Sequence, residues 1–373
     1  MEKNIGISFN NLLTEVIGKD LCNRCGGCVS FCSANGINAL EIGEDGYPKY
    51  SDQEKCLQGG ICYLICPQTK RLEEELKQKF DAKFPIGNWI DVFSARSTDI
   101  DVKKVATDGG VVTSLLSYLI ESNKIDGAIV SKRIGACGNG PTIATSKEEL
   151  LETAGSYYSE ALHLDKLGSE YKSCFPVIKV IRESAKKNMK KLALVGTPCQ
   201  IKAIRKMQLM NIVPSDMVIF TIGLFCLQCF TLEDLAKKEF AKLHNICIDD
   251  IVKVNIKDKL ILNMKSGICI HVPLDVIEKI ARPACIACDD FANDYADISV
   301  GGIGSDEGFT TVLIRNSLGR EIYSEALYKG YIENKHDKCM HEKVESNYLI
   351  DIIKEFAIRK KARAQARLNS LIK

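Results

Sequence analysis

The chain has 373 residues, 46% of them apolar, which is enough for two or three domains with cores of their own. Fifty basic residues against 48 acidic ones leave a net charge of +2, which excludes the electrostatic footprint of a nucleic-acid binder. The start, MEKNIGISFNNLL, lacks the apolar stretch of a signal peptide, and no apolar run approaches the ~18 residues of a membrane span. The 17 cysteines therefore point to a reducing cytoplasm and metal-bound thiolates rather than a disulfide scaffold.

Residues 1–70 read as a cluster domain. Cys22, Cys25, Cys28 and Cys32 have C-x2-C-x2-C-x3-C spacing, the ligand run of bacterial-type ferredoxins. Cys56, Cys62 and Cys66-Pro67 form a second, altered copy. Between the runs, INALEIG and YPKYS predict a hairpin around the turn GEDG. In such modules three cysteines of one run and the last of the other share a 4Fe–4S cluster. That rule assigns one cluster to Cys22, Cys25, Cys28 and Cys66. Cys32, Cys56 and Cys62 remain for a second, whose expected fourth ligand is replaced by Gly59. Three thiolates leave open a three-iron cluster, a four-iron cluster with a foreign ligand, or no cluster. Zinc also accepts four cysteines, but its usual pattern is two C-x2-C pairs.

Residues 71–84, RLEEELKQKFDAKF, predict a charged linker helix, and residues 85–345 alternate helices and strands. A glycine turn feeds the helix of DGGVVTSLLSYLIESNK, and DGAIVSKR is a strand. KVIRESAKKNMKK reads as a basic helix, KLALVG as a buried strand, IKAIRKMQLM as a helix and MVIFTIGLFC as an apolar strand. This alternation predicts a parallel α/β core. Further on, VKVNIKDKLILNMKSGICIHVPLD suggests antiparallel strands, and ADISVGGIGSDEGFTTVLIR two strands around a glycine loop. Residues 346–373 predict a basic amphipathic helix, read either as a partner-docking element or as a solvated tail.

Parallel strands place their C-terminal ends on one edge, so Cys199 in VGTPCQ and Cys226 in IGLFC are candidate neighbours. With Cys285 and Cys288 of PACIAC they would make a four-thiolate site. Cys229 rivals Cys226, and packing cysteines beside a structural C-x2-C is the plain alternative. No G-x-G-x-x-G follows a strand, so a Rossmann site is not indicated. Asp108, Gly109, Gly110 and Thr113 mark a glycine–helix junction suited to a phosphate or ring. The five histidines fit no metal or triad spacing.

TDGGVVTSLLSYLIESNKIDGAIV, GTPCQIKAIRKMQ, IGLFC and PACIACDDFANDYADISVGGIGSDEGF occur in this order. Together they resemble the coenzyme F420 hydrogenase/dehydrogenase beta subunit family over about residues 15 to 330. The fused cysteine module looks most like the input subunit of the reduced-F420 dehydrogenase and the N-terminal half of F420-dependent sulfite reductase. The resemblance implies an α/β and α+β chain, with an N-terminal two-cluster ferredoxin-like module followed by a mixed α/β flavin domain. It implies FAD, two to three 4Fe–4S clusters, one of them at Cys199, Cys226, Cys285 and Cys288, and coenzyme F420 as substrate.

On this resemblance the flavin would contact Asp108, Gly109, Gly110 and Thr113, then Ser156, Tyr157 and Tyr158, and run over Gly196, Thr197, Pro198 and Gln200. Lys132 and Arg133 are candidates for the deazaflavin's acidic tail, and the late loop at Asp297, Gly301, Gly302, Ser305, Asp306 and Gly308 is expected to close over the site. The implied activity is F420-dependent oxidoreduction through FAD, with single electrons passed through clusters to a partner. Candidate acceptors are a ferredoxin, a heterodisulfide reductase, a respiratory complex and a partner reductase. The alternatives are a flavin/iron–sulfur reductase with another substrate and a non-catalytic relay subunit. The expected location is the cytoplasm, free or peripheral to a membrane complex.

Overall fold

The computed structural model describes residues 7–134, 138–155, 189–212, 215–230, 250–336 and 340–371. In the N-terminal module each cysteine run turns into a helix at a left-handed glycine. Gly26 (φ 76°) precedes the helix Gly27–Ala34, and Gly60 (φ 69°) precedes the helix Ile61–Leu64. A Cβ at position 60 would stand 2.3 Å from the carbonyl oxygen of Ile7, so only glycine fits there. The predicted hairpin is present between the runs. Strands β1 (Leu40–Ile42) and β2 (Pro48–Tyr50) pair antiparallel, Leu40 opposite Tyr50.

The predicted linker contains the helix Glu73–Lys79. Beyond it an eight-stranded sheet is built from β3 (Asp91–Ser97), β4 (Gly127–Ile134), β5 (Gly138–Ala144), β6 (Leu192–Gly196) and β7 (Val218–Leu224). A separate antiparallel sheet of β8 (Ile251–Ile256), β9 (Lys259–Met264) and β10 (Cys269–Pro273) follows. The large sheet is completed by β11 (Ile298–Gly301), β12 (Thr310–Ile314) and β13 (Ile332–Asn334). Its order is β13-β3-β12-β11-β7-β6-β4-β5. The four central strands β4, β6, β7 and β11 are parallel, and antiparallel strands flank them on both sides.

The central strands are buried on both faces, as their near-continuous apolar sequences require. Ala128, Val130, Ala193, Val312 and Ile314 pack on one side with the helices Val111–Glu121 and Ser317–Tyr328. Ile129, Leu192 and Leu194 face the other side, against Ile201, Ile204 and Met207 of the helix Pro198–Leu209. The alternation is the period-2 pleat. No helix among the described residues is long and apolar enough to cross a membrane. The predicted basic helix at KVIRESAKKNMKK lies outside the described residues.

The C-terminal helix runs from Met340 to Ser370, starting earlier than expected. It is not a solvated tail. Leu349, Ile350, Ile353 and Ala357 are buried against the small sheet and Phe291. Two of its basic side chains, Lys360 and Arg363, are spent on internal carbonyls, so they do not form a docking face.

Candidate functional site

The C-terminal ends of the parallel strands open into a cavity of about 300 Å³. That is the lower end of the ~300–1,000 Å³ range of small-molecule pockets. Asp108, Gly110 and Thr113 line it from the glycine–helix junction, and Gly196, Thr197 and Gln200 from the end of β6. Gly301 and Gly302 contribute from the late loop, and Phe225, Cys226, Gln228 and Cys229 from the segment after β7.

Gly110 is left-handed (φ 74°) and caps the start of the helix Val111–Glu121, whose first residues Val111, Val112 and Thr113 line the cavity. Gly109 has a different role. A Cβ there would meet the Ala95 carbonyl oxygen at 2.5 Å, so this glycine lets the turn lie against the sheet, and it does not line the cavity. Asp108 accepts from Asn255 Nδ2 at 3.0 Å, and burial raises its carboxyl above the ordinary range. Thr197 and Gln200 cap the helix Pro198–Leu209, with Thr197 N donating to Gln200 Oε1 at 2.9 Å. Pro198 is the first residue of that helix, buried and outside the cavity wall.

Other expected contacts fall elsewhere. Lys132 pairs with Glu152 at 2.6 Å on the surface. Nothing is described of the Arg133 side chain, and Ser156, Tyr157 and Tyr158 lie outside the described residues. Asp297 is not part of a closing loop. It is buried, accepts from Thr221 N and Oγ1 at 2.8 Å, and pairs with Arg205 at 3.0 Å. Asp306 pairs with Lys335 at the surface.

Beside the cavity lies a cysteine site. Cys285 Sγ accepts from Cys229 N at 3.4 Å. Cys226, Cys285 and Cys288 surround the Lys360 ammonium, whose charge they favour. Lys360 Nζ donates to Cys226 O at 2.6 Å and Asp290 O at 2.7 Å. Arg363 donates to Leu227 O and Cys285 O. The Cys285 thiol is pulled down to about 5, first by its hydrogen bond with Cys229, then by Arg282 and Lys360, against the opposing effect of burial. Burial pushes Cys288 up to about 11.

Cys199 sits one strand away. Gly196 at the end of β6 pairs with Gly223 of β7, and Asn293 Nδ2 ties the two ends by donating to Gly196 O and Leu224 O. Gly223 has to be glycine, because a Cβ there would stand 2.3 Å from the Asn293 side chain. Cys199 Sγ lies 3.3 Å from Thr197 Oγ1, and Cys199 packs against the apolar cluster that also holds Cys25 and Ile65 of the N-terminal module.

In that module Cys22, Cys25, Cys28 and Cys66 line one small cavity of about 30 Å³. Burial pushes Cys22 up to about 12 and raises Cys28 and Cys66 as well. Such thiols are inert nucleophiles and ionise only on a metal. Cys32, Cys56 and Cys62 gather separately, with Cys32 Sγ accepting from Ala39 N at 3.2 Å and Cys62 raised to about 12 by burial. The space around Gly59 is open. Among the described residues no three His, Cys, Asp or Glu converge on one ion-sized point.

Sequence reasoning missed Arg282, Lys206 and Lys360. Lys206 is fully buried and donates to Cys66 O at 2.6 Å and Thr69 O at 2.9 Å. One signal was available for Lys360: it falls on the helical stripe of Leu349, Ile353, Ala357 and Ala364, an unexpected place for a lysine.

The mixed sheet opens at its strand ends on a cavity walled in part by cysteines, and a second thiol group lies in the N-terminal module. Residues 92–182 match the N-terminal model of the coenzyme F420 hydrogenase/dehydrogenase beta subunit, and residues 189–338 its C-terminal model. The chain belongs to this family. It is 34% identical over 263 residues to the coenzyme F420 hydrogenase subunit beta of Methanosarcina barkeri, covering 67% of this chain and 83% of that protein. It is 32% identical over 330 residues to the coenzyme F420-dependent sulfite reductase of Methanocaldococcus jannaschii, covering 83% of this chain and 46% of that protein. Its fold is similar to a chain of the F420-reducing NiFe hydrogenase complex from Methanosarcina barkeri, with TM-score 0.66 and 30% identity over 77% of this chain and 94% of that one.

Proposed function

We infer that this chain is an electron-input subunit that oxidises reduced coenzyme F420, or reduces F420 in the opposite direction, with FAD in the strand-end cavity and iron–sulfur clusters on its cysteine sites. One observation carries the reading: the cavity wall includes Cys226 and Cys229, so a ring bound there lies beside a thiol site. A bound flavin would supply the exchange between a two-electron hydride and single electrons, which the deazaflavin and clusters cannot make directly.

The chain's own residues do the rest. The amides at the start of Val111–Glu121 suit the anionic part of the cofactor. Gly301 and Gly302 make room for the Phe225 ring and the Asp108 carboxylate, which a Cβ would meet at 2.5 Å, and Phe225, Phe291 and Val300 keep water from the cofactor ring. Lys360 and Arg363 hold positive charge beside the thiolates, offsetting the burial of anionic sulfur. The N-terminal module, residues 1–70, would carry electrons onward. Its site at Cys32, Cys56 and Cys62 lies nearest an exposed apolar side chain, Leu57, which is 78% exposed and suits contact with an acceptor protein.

The test is anaerobic. The protein is reconstituted with FAD, mixed with reduced F420, and followed by visible spectrum and EPR. Flavin bleaching together with reduced-cluster signals is the expected result. Bound clusters with an unchanged spectrum would leave a relay subunit or another substrate instead.

A further inference from the structure

Two cysteine sites of separate sequence origin meet at one side chain. Arg282 is 1% exposed and precedes the helix Pro283–Ile286 that bears Cys285. Its backbone belongs to the site under Lys360: its amide donates to Cys229 O at 2.9 Å, and its carbonyl accepts from Cys285 N at 2.8 Å. Its side chain belongs to the N-terminal module, where Nη1 donates to Asn23 O at 2.6 Å, inside the Cys22–Cys25 ligand loop. One residue therefore contacts both sites, through its backbone on one side and its guanidinium on the other. Packing agrees. Ala287, next to Cys288, is buried in one apolar cluster with Cys32 and Cys62, against which Cys22, Cys28 and Cys66 also pack.

We propose that Arg282 is the joint between the two centres: a positioning residue that clamps the Cys22–Cys25 loop to the Cys285 helix, and a shared cation that raises the reduction potential of both centres. The proposal rests on the reading that both sites carry iron–sulfur clusters. In the step it serves, one electron leaves the site at Cys226, Cys285 and Cys288 and enters the site at Cys22, Cys25, Cys28 and Cys66. One centre is oxidised by one electron and the other reduced by one, and no bond forms or breaks. Arginine suits the place because its charge persists at any working pH and its planar fork spans two loops. Reduction adds negative charge, so a buried cation favours the reduced form of both centres.

Anaerobic redox titrations followed by EPR, with iron content measured alongside, test this on the full chain and on Arg282→Met and Arg282→Lys. Arg282→Met is expected to lower the reduced-to-oxidised ratio of both sites about tenfold at a given ambient potential, a shift of about 59 mV for one electron. The Cys32, Cys56 and Cys62 site serves as the internal control and should shift less than the other two. Arg282→Lys should keep both potentials within about threefold of that ratio, because the charge remains. A shift confined to one site, or none, overturns the proposal. Should Arg282→Met fail to retain clusters, Arg282→Lys decides through geometry. It loses the reach to Asn23 O, so the magnetic interaction between the two reduced centres should weaken, and an unchanged interaction overturns the clamp. Absence of cluster signals in the unsubstituted protein is a separate failure, that of the underlying cluster reading.

Discussion

The two thiol sites joined at Arg282 both hold thiols raised by burial, Cys288 among them, but they differ at Cys285. In the N-terminal module, Cys22, Cys28 and Cys66 are raised by burial, and the cations nearby do not reverse it. Under the C-terminal helix, Cys285 is lowered to about 5 by its Cys229 hydrogen bond, Arg282 and Lys360. On the proposed reading a bound cluster would supply the charge that makes the raised thiolates, whereas Cys285 already draws on cations of the protein. The local ligand run also has cations beside it, Arg24 and Arg282 near Cys22 and Lys206 near Cys66. A site gathered from distant segments needs side chains that tie those segments together, and here the ties are cationic.

The largest expected effect breaks the second site. Lys360→Ala removes two charge-assisted hydrogen bonds, to Cys226 O and Asp290 O. Urea unfolding should show a loss of about 3–5 kcal/mol. A loss below about 1 kcal/mol would mean that Lys360 does not hold this site together.

Gly60→Ala strikes the first site, because its Cβ would stand 2.3 Å from Ile7 O at a positive φ. A cost of about 2–3 kcal/mol is expected, with cluster loss confined to the N-terminal module. EPR signals from the second site should survive, and their loss would show that the sites do not assemble independently.

Gly59→Cys sharpens the comparison at little cost in stability, since nothing lies within 4 Å of the new Cβ. It restores the ligand run, so iron content should rise by about one atom per chain if a three-iron cluster is present. No change in iron content or EPR would argue against that cluster type.

Asp108→Asn should have the smallest effect. Burial raises the Asp108 carboxyl in the folded protein. Its contribution is therefore fully present below the unfolded carboxylate range and is lost as pH rises through the higher folded value. Stability measured from pH 4 to 8 should fall less steeply in the Asn variant, by about 1 kcal/mol across the range. Identical slopes would remove Asp108 from the account.

The N-terminal thiol grouping was legible because its ligands lie within a few residues of one another, and local spacing dictates local geometry. The parallel strands were legible because strands buried on both faces must be apolar throughout, as in LALVG and VIFTIGL. The antiparallel pair β8–β9 also follows from its alternation. The C-terminal helix was legible as a helix, but its fate was not. Net composition made it look solvent-facing, while its apolar stripe and the buried Lys360 decided where it went.

By itself the sequence determined the central parallel strands and the helices Val111–Glu121 and Pro198–Leu209, though not β3, β5, β13 or the helix Ser317–Tyr328, as well as where the N-terminal thiols cluster and the family to which the chain belongs. These depend on periodicity, spacing and motif order, all of which are local. Only the tertiary structure decided that Gly109 serves the sheet rather than the cavity, that Asp297 pairs with Arg205, and that Arg282 reaches from Cys285 to Asn23. Each of those contacts joins residues far apart in the chain. A buried charge satisfied at long range leaves no periodic mark, so it becomes visible only when the segments are packed together.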